Sequence, residues 1–317
     1  MNGIAPEHQH SQAMWPVSPH PLFSVIVASY NNGSYLDEMI ESVCGQSWPH
    51  WELIIAEDYS TDESSTILEK WSNHPQIRVI AHDQNRGAGA AFATAASYAT
   101  GEIIGMLGAD DALMPNALAR MVRAHQDHPE ASLINSLAIG CDAELRPLGP
   151  VSYCRNIAPT EELIFNLVIS SFATFKREAY ERTSGFNPDF KRAVDHDIYL
   201  KLDEVGQLVG IDEFLYLYRQ HAGGISQGES GVLAQQFSYQ ARIDAYRRRL
   251  GTPKKNYSRK EARMLLDTWF LREAYSKRWV QSKECNGILS QALRANHRLL
   301  LHVDFWSIFL RNNFIGL

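Results

Sequence analysis

A short apolar stretch near the start of the chain, Phe23-Ser-Val-Ile-Val-Ala-Ser-Tyr-Asn-Asn-Gly33, sets the fold. Its first seven residues are mainly β-branched or apolar, which is typical of a buried strand, and the Asn-Asn-Gly after them predicts a turn. Apolar side chains then recur at the spacing of one helix face, at Leu36, Met39, Ile40 and Val43. The sequence therefore predicts a strand, a turn and a helix in this order.

The same order repeats further along the chain. Strands are predicted at Trp51–Ala56, Ile77–Ala81 and Glu102–Leu107, and helices at Ser64–Trp71 and Ala88–Ala99. Strands that alternate with helices favour an α/β fold with a doubly wound, mostly parallel sheet flanked by helices.

After Pro150 the alternation weakens. We expect a helix at Glu161–Val168, an extended segment at Ser170–Phe175, a helix across Asp195–Val205 and a helical pattern from Val232 to Leu317. A chain of 317 residues has room for one large domain and an appendage. We therefore divide it into a disordered tail at 1–20, an α/β domain at 21–228 and a helical C-terminal extension at 229–317.

Composition places the chain among ordinary globular proteins. Hydrophobic residues make up 45% and charged residues 21%, unlike disordered or fibrous chains. The formal net charge of -6 disfavours a nucleic-acid partner, because binding to a phosphate backbone needs clustered Lys and Arg. The basic segment Arg242–Arg263 lies far along the chain from the polar residues discussed below.

The cysteines and the N-terminal residues bear on the cellular setting. The four cysteines are scattered without a close pair, so neither a zinc cluster nor a disulfide framework is indicated. Residues 1–20 contain no Lys or Arg and no apolar run, unlike a secretory signal. An uninterrupted apolar run of about eighteen residues, as a membrane span needs, is also missing. We therefore expect a cytoplasmic protein.

Polar residues follow the predicted strands at the points where those strands end. Tyr30 follows the first strand, Glu57 and Asp58 belong to the second, and Asp110 and Asp111 follow the fourth. Ligands collect at the carboxyl ends of strands in such sheets. Mg²⁺ takes one or two protein carboxylates together with substrate phosphates, so the Asp-Asp pair is a candidate metal site. An Asx turn or a helix N-cap is the alternative interpretation of this pair.

Several segments resemble glycosyltransferases of family 2 in their order and spacing, and those enzymes have the GT-A fold. The segments are Ser24–Asn31, Trp51–Asp62, Gly101–Asp111, Gly185-Phe186, Val194–Leu202 and Tyr218-Arg219-Gln-His221. The resemblance implies a GT-A fold for the α/β domain and the use of a nucleotide-sugar donor.

The resemblance also implies roles for donor-binding residues. Tyr30 matches a residue that stacks on the nucleotide base, and Asp58 matches one that accepts a base N–H. Asp110 would contact the ribose. Ser29 and Arg86 complete the implied donor contacts.

Metal and catalytic roles are implied in the same way. Asp111 matches the position that ligates a divalent cation, Mg²⁺ or Mn²⁺, and His221 matches a histidine near the same metal or the donor diphosphate. A surface-loop histidine is the alternative for His221. Asp195 matches the catalytic base, with a helix-capping Asp as the alternative. Asp197 is the competing base and would lie about 200° further round a helix.

The chain departs from the family pattern at three places. Gly108 stands where the family often has an additional Asp. Phe92-Ala93 replace a customary Arg-Asn, so that Arg86 is the nearest basic substitute. Glu57 stands where an Asp is usual, beside the intact Asp58.

These residues and the resemblance predict an inverting, metal-dependent transfer from a nucleotide-diphosphate sugar, with UDP favoured. The acceptor would be a hydroxyl of a saccharide or a lipid-linked saccharide, and the implied setting is surface polysaccharide synthesis. Two alternatives stay open, a non-catalytic nucleotide-sugar-binding or scaffold module and a nucleotidyltransferase. The joint presence of Asp58, Asp111, Asp195 and His221 argues against the first. The second would use a Gly/Lys-rich triphosphate loop near the first strand, which Ser29–Ser34 does not provide.

The C-terminal extension carries basic residues at Arg247–Arg249, Lys254-Lys255 and Arg259-Lys260. A solvated helix face is the ordinary interpretation, and contact with anionic lipid at the inner face of the membrane is the alternative. The apolar run Leu299–Phe309 either packs on the α/β domain or lies at a membrane interface.

Overall fold

The computed structural model describes residues 14–157, 162–165, 167–169, 172–221, 223, 229–249, 290 and 293. The helices are α1 Gly33–Cys44, α2 Ser64–Trp71, α3 Ala88–Tyr98, α4 Ala117–Asp127, α5 Arg177–Glu181, α6 Val194–Val205 and α7 Glu229–Arg249. The strands are β1 Phe23–Ser29, β2 Trp51–Glu57, β3 Ile77–Ala81, β4 Ile103–Met106, β5 Ala112–Leu113, β6 Ala131–Cys141, β7 Pro147–Pro150, β8 Ala173–Lys176 and β9 Gln207–Arg219.

One sheet joins all the described strands, in the order β3-β2-β1-β4-β8-β6-β9-β5 with β7 beside β6. The pairs among β3, β2, β1 and β4 are parallel, as the alternation of strands and helices predicts. Antiparallel pairs follow where β8 joins β4 and β6, where β7 joins β6 and where β5 joins β9. The sheet is therefore mixed, and its later half also contains one parallel pair, β6 with β9, which have α5 and α6 between them in the chain.

Both faces of the sheet are covered. Alternate side chains of β1 point to opposite faces, so that Ile26 packs with α3 and α6 while Val25 and Val27 pack with α1 and α4. A strand buried on both faces reads as a continuous apolar run, which explains why Phe23–Ser29 is almost free of polar residues. The carboxyl ends of the parallel strands remain at one edge.

Part of the tail predicted to be disordered at 1–20 has a defined position in the structure. Trp15 is only 1% exposed, and its backbone N–H donates to the Pro129 carbonyl at 2.8 Å. The Ser18 hydroxyl donates to Glu102 at 2.6 Å. A single buried tryptophan produces no apolar run, so the sequence pattern missed this attachment. Residues 1–13 lie outside the described residues.

The prediction of a helix at Glu161–Val168 is wrong for the residues that are described. Residues 163–165 form a turn and residues 167–169 have no regular secondary structure. Leu163 and Ile164 produced the helix-like apolar pattern, because both are buried in the core cluster that also contains Ile26. The predicted helix at Asp195–Val205 is confirmed as α6.

Of the predicted C-terminal helices, α7 is described and nearly all of the remainder lies outside the described residues. Among the described helices, none is both long and apolar enough to cross a membrane.

Candidate functional site

The ends of β1 and β2 lie side by side and form the first part of the site. Ser29 pairs with Glu57 across the two strands, and the Asp58 N–H donates to the Ser29 carbonyl at 2.8 Å. Tyr30 is 46% exposed at this edge. The Ser29 side chain is instead buried, and its hydroxyl has no hydrogen-bond partner among the described residues.

Asp58 is buried and organises the loop that follows β3. Its Oδ1 accepts the Arg86 N–H at 2.8 Å and contacts His82 Nδ1 at 2.7 Å. Its Oδ2 accepts the Gly87 N–H at 2.7 Å. His82 is fixed in turn by a 2.9 Å contact between Nε2 and the Thr94 hydroxyl. The carboxylate therefore holds the backbone of the β3–α3 loop beside the ends of β1 and β2, while the Arg86 side chain is exposed.

Gly87 makes the sharp entry into α3 possible. Its φ of +90° lies in the region that favours glycine, and an added Cβ would stand 3.3 Å from Lys191 Cγ. Two residues on, the Gly89 N–H donates to the Phe190 carbonyl at 2.8 Å. The β3–α3 loop thus packs against the segment that leads into α6.

Two residues at this edge have left-handed backbones without being glycine. Asn31 has φ 54° and Tyr59 has φ 65°, and Tyr59 is 55% exposed. The Asn31 N–H donates to Ser60 Oγ at 2.9 Å, and the Thr61 N–H donates to Asn31 Oδ1 at 2.8 Å. These bonds tie the turn after β1 to the turn after β2.

Asp111, predicted to bind a metal, is turned into the protein. Its Oδ2 accepts the Tyr216 hydroxyl at 2.5 Å and its Oδ1 accepts the Arg219 N–H at 2.8 Å. The residue is 4% exposed. Burial, and next the charge of Asp110, raise the pKa of Asp111 well above its usual value, although the bonds from Tyr216 and Arg219 act in the opposite direction.

Asp110, predicted to contact the ribose, lies against the predicted histidine. Its Oδ2 is 2.9 Å from His221 Nε2, and the exposed fractions of the two side chains are 26% and 10%. The His221 ring also lies 4.6 Å from the Tyr35 ring, centroid to centroid. The structure therefore brings Asp110 and His221 together at the edge and places Asp111 beneath them.

Among the described residues, no group of three or more His, Cys, Asp and Glu side chains is placed to hold a metal ion. The Asp110–His221 pair offers one carboxylate and one imidazole. These are ligands that Mn²⁺ and Mg²⁺ accept when phosphate oxygens complete the coordination.

Arg219 supports this turn from below. Its buried guanidinium donates to the Asp110 carbonyl at 2.6 Å, to Glu38 at 2.7 Å and to the Ala143 carbonyl. It also lies over the Tyr35 ring, with 4.6 Å between Cζ and the ring centroid. One side chain thus connects α1, the Asp110 turn and the turn after β6.

Asp195 and Asp197 occupy the first turn of α6 in different surroundings. The Asp195 side chain is 36% exposed. Asp197 is 2% exposed, and its Oδ2 lies 2.6 Å from Lys201 Nζ. Lys201 Nζ also donates to the Gly185 carbonyl at 2.7 Å. Asp197 is therefore held within the protein, whereas Asp195 is open to solvent.

His196 connects Asp195 to α7. Its Nδ1 lies 2.9 Å from the Ser238 hydroxyl, and its Nε2 lies 3.9 Å from Asp195 Oδ2. Burial lowers the pKa of His196, against the opposing effect of Asp195.

The departures from the family pattern have structural counterparts. A side chain at Gly108 would collide with the Asp111 carboxylate. The Phe92 ring stacks on Phe186 at 5.6 Å between centroids, so this position faces the apolar layer and offers no donor contact. The Glu57 carboxylate accepts the Ser60 N–H at 2.6 Å and shapes the turn after β2.

The sheet has a parallel half with an acidic edge, and it continues into a mixed half against which α6 packs. This arrangement is the GT-A fold. Residues 24–183, about half of the chain, match the model of glycosyl transferase family 2. The chain belongs to that family.

Curated relatives include two bacterial polysaccharide synthases. The chain is 32% identical to a chondroitin synthase of Escherichia coli over 197 residues, which is 62% of this chain and 28% of the synthase. It is 28% identical to a hyaluronan synthase of Pasteurella multocida over 215 residues, 67% of this chain and 22% of that protein. The chain thus spans less than a third of the length of either synthase.

Solved structures show the same fold. Residues 1–349 of Staphylococcus aureus TarS, in complex with UDP-GlcNAc, align with TM-score 0.69 at 18% identity, covering 86% of this chain and 81% of that one. The mannosyltransferase PcManGT of Pyrobaculum calidifontis, in complex with GDP-Man and Mn²⁺, aligns with TM-score 0.55 at 16% identity, covering 97% and 91%. The predicted GT-A fold is confirmed.

Several residues of the site were not predicted from the sequence. His82 and Tyr59 flank Asp58, and Tyr216 and Arg219 hold the Asp110-Asp111 turn. Tyr216 and Arg219 belong to the long strand β9, which the pattern did not predict. Tyr59 directly follows Asp58, and its position at a strand end was the one available signal.

Proposed function

We propose that this chain is an inverting glycosyltransferase that moves a sugar from a UDP-sugar to a hydroxyl of a saccharide or lipid-linked saccharide. The observation that carries the proposal is the Asp110–His221 pair at the carboxyl edge of the sheet, 2.9 Å apart. The TarS structure binds UDP-GlcNAc on the same fold, which supports UDP as the nucleotide. The synthase relatives support a role in polysaccharide assembly.

The donor base is proposed to bind at Tyr30, beside the Asp58 carboxylate. Asp58 already accepts two backbone N–H groups, so its first role is to hold the β3–α3 loop. A carboxylate oxygen can accept more than one hydrogen bond, which leaves capacity for a base N–H. The exposed Arg86 side chain is proposed to meet the donor diphosphate.

A divalent cation, Mg²⁺ or Mn²⁺, is proposed to bind at Asp110 and His221. Asp111 was the predicted ligand, but it is only 4% exposed and its carboxylate faces Tyr216 and Arg219, whereas the Asp110 side chain is 26% exposed. We therefore assign the ligand role to Asp110 and a supporting role to Asp111. A cation here would offset the negative charge that develops on the departing nucleotide diphosphate.

Asp195 is proposed to act as the general base. Its exposed carboxylate lies at the start of α6, just after the segment that packs on Gly87. That packing connects the start of α6 to the β3–α3 loop, where the donor is proposed to bind. Asp195 would take the proton of the acceptor hydroxyl as the hydroxyl oxygen bonds to the anomeric carbon from the face opposite the departing nucleotide diphosphate, which inverts that carbon. Such general-base catalysis contributes about 10²–10⁴-fold. Asp197 cannot serve, because it is buried against Lys201.

The wider assignment is part of the same proposal. The catalytic unit would be residues 21–228, and the protein would work in the cytoplasm. A peripheral contact with the inner face of the membrane would come from the C-terminal extension. Within α7, however, Arg248 and Arg249 bind Glu204 and Asp203, so the contact would have to come from residues beyond Arg249.

A donor screen tests this function. The full chain would be incubated with UDP-sugars and GDP-sugars in the presence of Mg²⁺, Mn²⁺ or EDTA, and release of the nucleoside diphosphate would be measured. We expect metal-dependent release from a UDP-sugar. Binding without release by any donor would favour the scaffold alternative, and release of pyrophosphate from a nucleoside triphosphate would favour the nucleotidyltransferase.

A further inference from the structure

We propose that Tyr59 is a base-contacting residue, so that the donor nucleobase binds between Tyr30 and Tyr59. This inference rests on the proposed function, because it adds a second aromatic wall to the same nucleotide site. It also goes beyond it, because nothing in the family resemblance assigned a role to position 59.

The backbone of Tyr59 supports the assignment. Its φ of 65° lies in the left-handed region, where a Cβ is crowded and only Gly, Asn and Asp are found routinely. The Glu57 carboxylate keeps the turn in place by accepting the N–H groups of Tyr59 at 3.2 Å and Ser60 at 2.6 Å. Strained residues persist where the surrounding structure fixes them, and they cluster at binding sites.

The side chain of Tyr59 has no structural task in the described part of the chain. It is 55% exposed, and it makes neither a ring contact nor a side-chain hydrogen bond with the described residues. Tyr98, which is 43% exposed, differs because Arg78 lies 5.5 Å above its ring. A bulky, exposed ring on a strained backbone, with no ring contact or side-chain hydrogen bond among the described residues, favours a role in binding.

Tyr30 and Tyr59 follow the ends of neighbouring strands, with Tyr59 one residue further from its strand than Tyr30 is from its own. Ser29 and Glu57 are paired across the parallel strands β1 and β2, which lie about 4.8 Å apart. Tyr30 follows the first of these residues, and Tyr59 follows the second after Asp58. Two exposed phenol rings therefore follow neighbouring strand ends, and the carboxylate of Asp58, a hydrogen-bond acceptor, directly precedes the second of them. Flat aromatic surfaces beside an acceptor suit a nucleobase.

The test compares Tyr59→Gly and Tyr59→Phe in the full chain. Affinities for UDP and for inorganic pyrophosphate would be measured with Mn²⁺, and Tm would be recorded without ligand. Tyr59→Gly should bind UDP about tenfold more weakly, because base stacking is lost, while pyrophosphate binds as in the wild type. Its Tm should stay equal or rise by about 2 °C, because glycine relieves the backbone. Tyr59→Phe should keep the wild-type affinity.

Leu145→Gly is the matched control, since Leu145 has φ 58° in the turn after β6. It should relieve backbone strain in the same way and leave UDP affinity unchanged. Wild-type UDP affinity in Tyr59→Gly would overturn the assignment, as would an equal loss for UDP and pyrophosphate, or a loss that accompanies a lower Tm. Failure of the wild-type chain to bind UDP or GDP would instead remove the proposed function itself.

Discussion

Asp195 and Asp197 stand two residues apart on α6, and their surroundings predict opposite mutant behaviour. Asp195→Asn should keep the fold and the donor affinity while kcat falls on the order of 10²-fold, because the amide cannot take the proton of the acceptor. Transfer kinetics with the donor and acceptor found in screening would measure this, together with donor affinity by calorimetry.

Asp197→Asn serves as the comparison. This change removes the negative partner of the nearly buried Lys201 ammonium, so we expect a lower Tm with a much smaller effect on kcat per folded molecule. Near-normal turnover by Asp195→Asn together with an inactive, folded Asp197→Asn would place the base two residues later. Normal transfer by both variants would place it outside α6.

Asp110 and Asp111 predict a second pair of contrasting variants. Asp110→Asn should weaken Mn²⁺-dependent UDP binding about tenfold or more without changing Tm, because it removes an exposed charged ligand. Asp111→Asn should lower the free energy of unfolding by about 1–3 kcal/mol, because its amide cannot accept both buried donors. Chemical unfolding and calorimetry with and without EDTA would separate the two. Loss of metal dependence in a folded Asp111→Asn, with normal Asp110→Asn, would reverse our assignment.

The sequence predicted which strand ends carry the candidate site, but not which of two adjacent carboxylates faces outward. That difference depends on Tyr216 and Arg219, which stand 105 and 108 residues from Asp111 in the chain. No local pattern records such partners. The hydrogen bonds of Asp58 could not be predicted for the same reason, because its donors are the Arg86 and Gly87 N–H groups of the β3–α3 loop.

At the scale of elements, a buried arginine at the end of α7 is among the residues that hold α7 against α6. Arg249 is 5% exposed, and its guanidinium lies 2.8 Å from Asp203 and 3.3 Å from Glu204. Arg249→Met should lower the free energy of unfolding by about 3 kcal/mol, because it removes a buried guanidinium that is ion-paired with Asp203 and Glu204. Urea unfolding would measure the change. Arg247→Met is the control, since Arg247 is 47% exposed, and it should cost less than about 1 kcal/mol. Equal effects would mean that α7 is not fastened in this way.

The first four strands and three helices agree with the sequence, because each is a short apolar run with the period of its own element. The second half agrees less well. Strand β9 carries Asp212 and Glu213 among its apolar residues, and only part of it is buried. Strand β6 pairs with β7, β8 and β9, and local periodicity does not record these distant partners. The sequence pattern therefore could not predict the mixed strand pairing in the second half of the sheet.

At the scale of the whole molecule, the proposed membrane contact predicts a change in vesicle binding. The full chain should co-sediment with vesicles rich in anionic lipid. Replacing Lys254, Lys255, Arg259 and Lys260 by alanine should weaken that binding about 10²-fold or more, because each basic residue near such a surface contributes about 1 kcal/mol.

Neutral vesicles and raised salt concentration are the controls for this measurement, since the attraction is electrostatic and screened by ions. Binding that is unchanged by the fourfold substitution would contradict a contact through these residues. Sedimentation with neutral and anionic vesicles alike would point to the apolar run Leu299–Phe309 instead.

Arg219 joins residues that are made at very different times. Its side chain reaches Glu38, 181 positions earlier, and the Asp110 carbonyl, 109 positions earlier. A nascent chain on the ribosome that ends before this arginine has β1, β2 and the Asp110-Asp111 turn, but it lacks the donors that hold the turn. The proposed metal site at Asp110 and His221 is thus completed only when synthesis passes His221. A translation product that stops earlier lacks both that histidine and the arginine that holds the turn.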